Sequence, residues 1–420
     1  MRLLALLLLL SMLAMAEEEY ELPPICYSAT QPRDAVQALI KKVRAGTATV
    51  NRTDAWTILK DLCRHFHIPL ESQVLVFSKT SAQNSRISPQ TPRVIYFGDE
   101  AYIGYTLGGA IEIAAVDPNL GPIFYLIEPE AAPDKPLQFH RDQSCMNCHG
   151  GPFTPGVPGL LVRSVFPSAS GHPILSQGST VVDSTTPFGD RWGGWYVTGT
   201  HGDSHHRGNV IAIENPDNTC DMPVEQGANI LSLTSFFDTT PYPRASSDIV
   251  ALMVLEHQTS VQNVLTKAHH SALRALHMQT SLQKELGEPV QHQPIGTARR
   301  ILDHCAEDVL DALLFKDEAP LPEGGIEGDE AFQTAFAQTA PRNADGRSLK
   351  DFQLLTRLFK YRCSYLIHSQ TFQQMQPELK KTVLAKLDTV LKGEDASGRY
   401  AYLGEAERGH IRGILAETLE

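Results

Sequence analysis

Long apolar runs are scarce in the 420 residues: beyond the first sixteen, no stretch of eighteen apolar residues occurs. A transmembrane helix needs about that many, so no membrane span is expected in the mature chain. Basic clusters are missing too. The 36 Lys and Arg are outnumbered by 48 Asp and Glu, for a formal net charge of −12, which sets nucleic acid aside as a partner because phosphate neutralisation needs a basic face. Solenoid-type repeats are absent. Gly and Pro, 30 and 27, stay close to average usage, which excludes a collagen-like or largely disordered chain.

The one strongly biased stretch lies at the start. Arg2, a Leu-rich run from Leu3 to Leu13 and Ala14-Met15-Ala16 ahead of Glu17-Glu18-Glu19 have the form of a secretory signal peptide cleaved after Ala16. No Cys stands at the cleavage point, which argues against a lipoprotein anchor. The expectation is a periplasmic or secreted protein, in a compartment where disulfides are permitted.

Of seven cysteines, two form Cys145-Met146-Asn147-Cys148-His149, a C-x-x-C-H pentapeptide. This is the attachment signature of c-type haem, and chance at this composition supplies only about 0.004 copies per chain. Two thiols three positions apart can each add to a vinyl group on one porphyrin edge, and the following imidazole then meets the iron. Cys145 and Cys148 are thus the expected thioether residues of one covalent haem c, and His149 its proximal ligand. Competing uses of the same residues are a thioredoxin-like pair, a zinc site completed through His201-x-x-x-His205, and a local disulfide. Cys26, Cys63, Cys220, Cys305 and Cys363 remain, an odd number; Cys26 with Cys63 and Cys305 with Cys363 are guesses from neighbourhood alone.

Periodicity divides the remainder. Helices are expected over Asp34 to Val43 and Arg52 to His67, the second capped at Thr53-Asp54. Short β-prone runs follow from Val74 to Ile127, separated by turn residues, as in an antiparallel sheet of hairpins. A Pro-containing connection from Ala131 to Leu137 leads to the haem motif. From Asp248 onward the pattern is helical almost throughout: 248–285, 297–315, 329–338, 349–373, 378–391 and 405–418. The fold class is therefore α+β, with a signal peptide at 1–16, a β-rich haem-bearing part at 17–245 and a helical part at 246–420.

A second iron ligand would decide between electron transfer and an open iron site. His201, between Gly199 and Gly202 with His205 and His206 just beyond, is the preferred partner. His257 is a rival, but it shares a helical face with Val250, Met253, Val254, Val261, Val264 and Ala268, which points to a buried core histidine. Met222, Met253 and Met278 are less favoured thioether donors. Arg141, Arg163 and Arg191 are candidates for haem propionates, and Trp192 and Trp195 for walls of the haem pocket.

Several segments carry a resemblance: Ser88-Pro89-Gln90-Thr91-Pro92-Arg93-Val94-Ile95-Tyr96-Phe97, the Cys-x-x-Cys-His-Gly core, and Gly156-Val157-Pro158-Gly159 with Arg163-Ser164-Val165. Arg191-Trp192-Gly193-Gly194-Trp195-Tyr196-Val197-Thr198-Gly199 and Gly346-Arg347-Ser348-Leu349 with Arg357-Leu358-Phe359 belong to it as well. Together they resemble an exported monohaem cytochrome c domain family of planctomycete and verrucomicrobial type. The resemblance covers most of the mature chain and implies thioethers at Cys145 and Cys148 and iron ligation at His149, without naming a substrate. The leading expectation is an electron carrier between periplasmic redox partner proteins. The alternative is a peroxidase-like haem enzyme or diatomic-gas sensor in which His201 or His206 acts on an iron-bound molecule. No catalytic residue is assigned.

Overall fold

A computed structural model of the chain describes residues 18–129 and 137–419. The expected signal peptide, its cleavage site, and Ala131 to Pro136 of the Pro-containing connection lie outside the described residues. Two helices come first: α1 (Ala35–Arg44) and α2 (Ala55–His65). Asp34 and Asp54 cap them, their carboxylates accepting from the backbone N–H of Gln37 and Thr57 at 2.9 and 3.0 Å.

Strands β1 (Val74–Val76), β2 (Arg93–Phe97), β3 (Ala101–Tyr105), β4 (Ile111–Asp117), β5 (Gly121–Ile127) and β6 (His140–Arg141) follow. Then come the one-turn helix α3 (Met146–His149), β7 (Arg163–Val165), β8 (Ser179–Val181), β9 (Trp195–Tyr196), β10 (Ile213–Glu214) and β11 (Cys220–Asp221). One seven-stranded antiparallel sheet has the order β6-β5-β4-β3-β2-β1-β9. The helical half comprises α4 (Ile249–Glu285), α5 (Gly296–Leu313), α6 (Glu330–Gln338), α7 (Gln370–Gln373), α8 (Pro377–Lys392) and α9 (Glu405–Thr418). The class is α+β, as expected.

Side chains alternate across the sheet with period two, and each face carries its own core. Leu75, Val94, Tyr96, Ile103, Ile113 and Tyr125 face α1 and α2 and pack with Val36, Leu39, Ile58 and Leu62. Val74, Val76, Phe97, Tyr102, Ala114 and Phe124 face the other way and join α4, α5, α8 and α9 in one continuous core. The expected boundary at residue 245/246 falls just before α4, whose buried residues share that core with the sheet. Among the described residues no helix is long and apolar enough to cross a membrane.

One expected helix, 349–373, forms only at its end, as the short turn Tyr365–His368 and α7. Leu349 to Ser364 is irregular, with Phe352 and Phe359 paired in an isolated bridge and Leu354 at φ +57°. The Gln353 carboxamide oxygen takes the backbone N–H groups of Leu355, Thr356 and Arg357 at 3.1, 2.7 and 3.0 Å. A side chain thus satisfies the donors that a helix would have engaged. The proposed disulfides are not formed either, all seven cysteines being free. Cys63, Cys305 and Cys363 serve as small apolar core residues, and burial pushes their thiols up to about 12, 11 and 12.

Candidate functional site

The edge of the sheet delivers the C-x-x-C-H segment. Tyr125 and Leu126 pair with Arg141 and His140, and the N–H of Asp142 donates to Phe124 O at 3.1 Å. Asp142 then accepts from Ser144 N at 2.9 Å, capping the tight turn Gln143–Cys145 that continues into α3. Helical spacing of i, i+3 and i+4 places Cys145, Cys148 and His149 on one side of this turn. Cys145 is half-buried and Cys148 exposed. Burial, with Asp142 and Glu112 adding to it, pushes the Cys145 thiol up to about 12.

His149 is held from two sides. Its ring lies 4.5 Å from that of Phe124, and Nδ1 is 2.8 Å from Gly159 O. A carbonyl only accepts, so Nδ1 carries the proton and the lone pair sits on Nε2. Nε2 has no hydrogen-bond partner among the described residues. Burial holds the imidazole below its ordinary pKa, with the Gly159 bond and Glu112 acting against that and Arg93 with it. A neutral ring whose far nitrogen is fixed by a backbone carbonyl is the arrangement that suits a metal-ligating histidine, so the residues present fit a covalently attached haem.

Gly159 is fixed in turn by α4. Leu160 N donates to Asn263 Oδ1 at 2.9 Å, and Asn263 Nδ2 donates to Leu160 O at 2.6 Å. A Cβ on Gly159 would lie 2.6 Å from Asn263 Oδ1 and 2.7 Å from Thr154 Cβ. Gly159→Ala is therefore expected to cost about 1–3 kcal/mol through overpacking, read as a lowered denaturation midpoint of the haem-free chain; an unchanged midpoint would contradict this clasp. Gly150 follows the motif for space rather than for backbone freedom. Its φ is −122°, open to any residue, but a Cβ would lie 2.7 Å from Met146 Cε and collide with the Tyr20 hydroxyl.

The basic candidates separate. Arg191 is committed elsewhere: its guanidinium pairs with Glu256 and donates to Thr186 O at 2.6 Å, and both members of the pair are buried. It is therefore withdrawn as a propionate partner. Arg141 donates to Tyr27 O at 2.6 Å and lies over the Tyr27 ring. Arg163 is the one beside the motif, close to Cys148. It stacks 4.5 Å over Phe153 and donates to Ser179 Oγ at 2.8 Å, and its buried Nε has no hydrogen-bond partner among the described residues. Trp192 is a core residue whose Nε1 donates to Glu256 Oε2 at 3.1 Å, and Trp195 Nε1 donates to Arg163 O at 2.8 Å.

The structure does not bring His201 to His149. The segment before His201 is tied to the start of α4 by Ile249 N donating to Thr198 O at 2.9 Å, whereas the motif is tied through Gly159 and Leu160 to Asn263, fourteen residues further along. That is about 21 Å at 1.5 Å per helical residue. The His201 ring lies 4.7 Å from His206 and 5.4 Å from Phe188, and its Nε2 accepts from Asn229 N at 3.1 Å. Gly199, at φ +143°, lets the backbone approach Ile249 and Glu327 rather than a flat ligand. His206 is buried against Trp192, its ring held down to about 3 by burial and by His201. No group of three or more His, Cys, Asp or Glu placed to hold a metal ion occurs among the described residues.

His257 is the core histidine that its helical face implied. It is buried, with Nε2 2.8 Å from Ser364 Oγ and its ring stacked 4.3 Å from Phe315. Met253 is core and Met278 is exposed near the far end of α4. Missed from sequence were Phe124, Gly159, Asn263 and Glu256. Only the last two left a sign, as polar residues within an apolar helical stripe. No family model, curated protein or solved structure matches this chain.

Proposed function

We propose that the chain carries one haem c, bonded through Cys145 and Cys148 and ligated by His149, and works as an exported electron carrier between redox proteins. The observation that carries this reading is the hydrogen bond from His149 Nδ1 to Gly159 O on the same turn as two free thiols. The haem would supply one-electron chemistry. The protein's part is to fix the tautomer and orientation of His149 through Gly159, to shield one face of that ring with Phe124, and to leave Cys148 at the surface, where a partner can approach. A second reading is favoured by the separation of His201 from the motif: a haem whose sixth position is open to a small molecule, as in a peroxidase-like enzyme or gas sensor.

The test is intact mass and absorption after co-expression with c-type maturation proteins. Expected is a mass increase of one haem in the parent chain, and none in the Cys145→Ser/Cys148→Ser variant. An unmodified parent mass would end the haem reading. Carbon monoxide added to the reduced protein separates the two uses: an unchanged spectrum supports the electron carrier, and a shifted one supports the open site.

A further inference from the structure

The sheet face that carries Phe124 also carries an ion pair that nothing above uses. In register across β2 to β6, Ile95, Gly104, Glu112, Leu126 and His140 form the row next to Phe97, Tyr102, Ala114 and Phe124. The second row is buried in the core shared with α4, whereas Ile95, Glu112 and Leu126 are half-buried and His140 is exposed. The Arg93 guanidinium reaches from β2 across β3 to pair with the Glu112 carboxylate on β4. Gly104 gives it room: a Cβ there would lie 2.8 Å from Cζ and 2.9 Å from Nε of Arg93. Glu112 is held from other directions by Gln83 Nε2 at 3.0 Å and Ser81 Oγ at 3.1 Å. The Arg93 Nε is buried with no hydrogen-bond partner among the described residues, so Glu112 does not use up the donors of that guanidinium.

A cross-strand ion pair adds little stability when it is wet, and a glycine inside a strand weakens the strand. The place of this pair gives it another use. Neighbouring strands are about 4.8 Å apart and two residues rise about 6.8 Å along a strand, which puts the Glu112 Cα about 8 Å from that of Phe124. The His149 ring packs 4.5 Å from the Phe124 ring. Both charges act on the His149 imidazole, and Glu112 acts on the Cys145 thiol. Arg93 and Glu112 are only 20% and 19% exposed, and separations of this size do not exceed the Debye length of about 8–10 Å, so salt screens the two charges only in part.

We propose that the Arg93–Glu112 pair, seated on Gly104, sets the reduction potential of the iron that His149 would hold; this rests on the haem reading above. Oxidation adds one positive charge at the iron as one electron leaves for the partner protein. A nearby guanidinium opposes that charge and raises the potential, and a nearby carboxylate favours it and lowers the potential. Arg93 and Glu112 are thereby tuning groups and not ligands.

The test is a potentiometric titration of the holoprotein after co-expression with c-type maturation proteins, with the absorption spectrum recorded in both oxidation states. Arg93→Gln is expected to shift the midpoint to lower potential, Glu112→Gln to higher potential, and Arg93→Gln/Glu112→Gln to a value between the two. Arg93→Lys keeps the charge and is expected to stay near the parent, whereas a role in fork geometry alone would move it with Arg93→Gln. If one neutral variant does not fold, the other still carries a shift of fixed sign. Midpoints that coincide with the parent, two neutral variants that shift the same way, or a spectrum that shows an exchanged iron ligand would overturn this assignment and leave the haem reading standing. A parent chain without the mass of a haem would end both.

Discussion

Replacing Glu256 with alanine is expected to destabilise the chain by about 3–5 kcal/mol, because it strands a guanidinium inside the protein. Glu256 and Arg191 are 1% and 2% exposed. Burial raises the Glu256 carboxyl to about 7, while Arg191 and the Trp192 Nε1–H oppose that rise. Once the carboxylate is gone, the hydrogen bonds left to the Arg191 guanidinium among the described residues are those to the carbonyls of Thr186 and Ser184, and Trp192 Nε1 loses its acceptor. The pair also holds a strained segment. Trp192 sits at φ +65°, and Gly194 O beyond it accepts the N–H groups of Phe77 and Ser78 at 2.9 and 3.0 Å, so the pair anchors the peptide that flanks β1. The double variant Arg191→Met/Glu256→Leu removes both charges and is expected to be more stable than either single variant. Urea unfolding of the four proteins measures this; additive losses would show that the two charges are not coupled.

The legible parts of this chain are those encoded by neighbouring residues. The strands from Val74 to Ile127 alternate over a short range between turn residues, so their pairing into a sheet could be read directly. Asp54 announced α2 because an N-cap needs only a carboxylate three residues before an N–H. The C-x-x-C-H segment was visible for a related reason: attachment chemistry needs its residues on one turn. What supports His149 was not visible, since Phe124 comes from a strand, Gly159 acts through its carbonyl, and Asn263 reaches them from more than a hundred residues away. His201 stood out for its place between Gly199 and Gly202, but Gly199 brings the backbone to the start of α4 and to Glu327. Leu349 to Ser364 misled because its hydrophobic spacing is helical while Gln353 offers the backbone a competing acceptor.

His257→Gln is expected to be less stable than the parent chain near pH 7.5 and to close that gap as the solution is acidified. Burial holds His257 down to about 3, against an ordinary value of about 6.5 in the unfolded chain. Below that ordinary value the unfolded state binds a proton that the folded state refuses, so the stability contributed by a neutral His257 is present above pH 6.5 and is lost as pH falls towards 3. The loss approaches about 1.4 kcal/mol per pH unit well below pH 6.5, and is about 2.3 kcal/mol between pH 6.5 and 4.5. The rings packed around it, Phe315, Phe359 and Tyr365, and the hydroxyl of Ser364 bring no charge to stabilise an imidazolium. His206, His269 and His270, held to about 3, 4 and 3 by burial, act in the same direction. Glu100 and Glu318, each raised to about 7 by burial, act in the opposite one: the folded state holds their protons while the unfolded state has released them, so their share falls as pH rises from about 4.5 to 7. The whole-chain profile is therefore a partial cancellation, and only the difference between parent and variant isolates His257. Denaturant unfolding at pH 7.5, 6.5, 5.5 and 4.5 gives that difference; a gap that stays constant across the series would mean that His257 takes up its proton without unfolding the core around it.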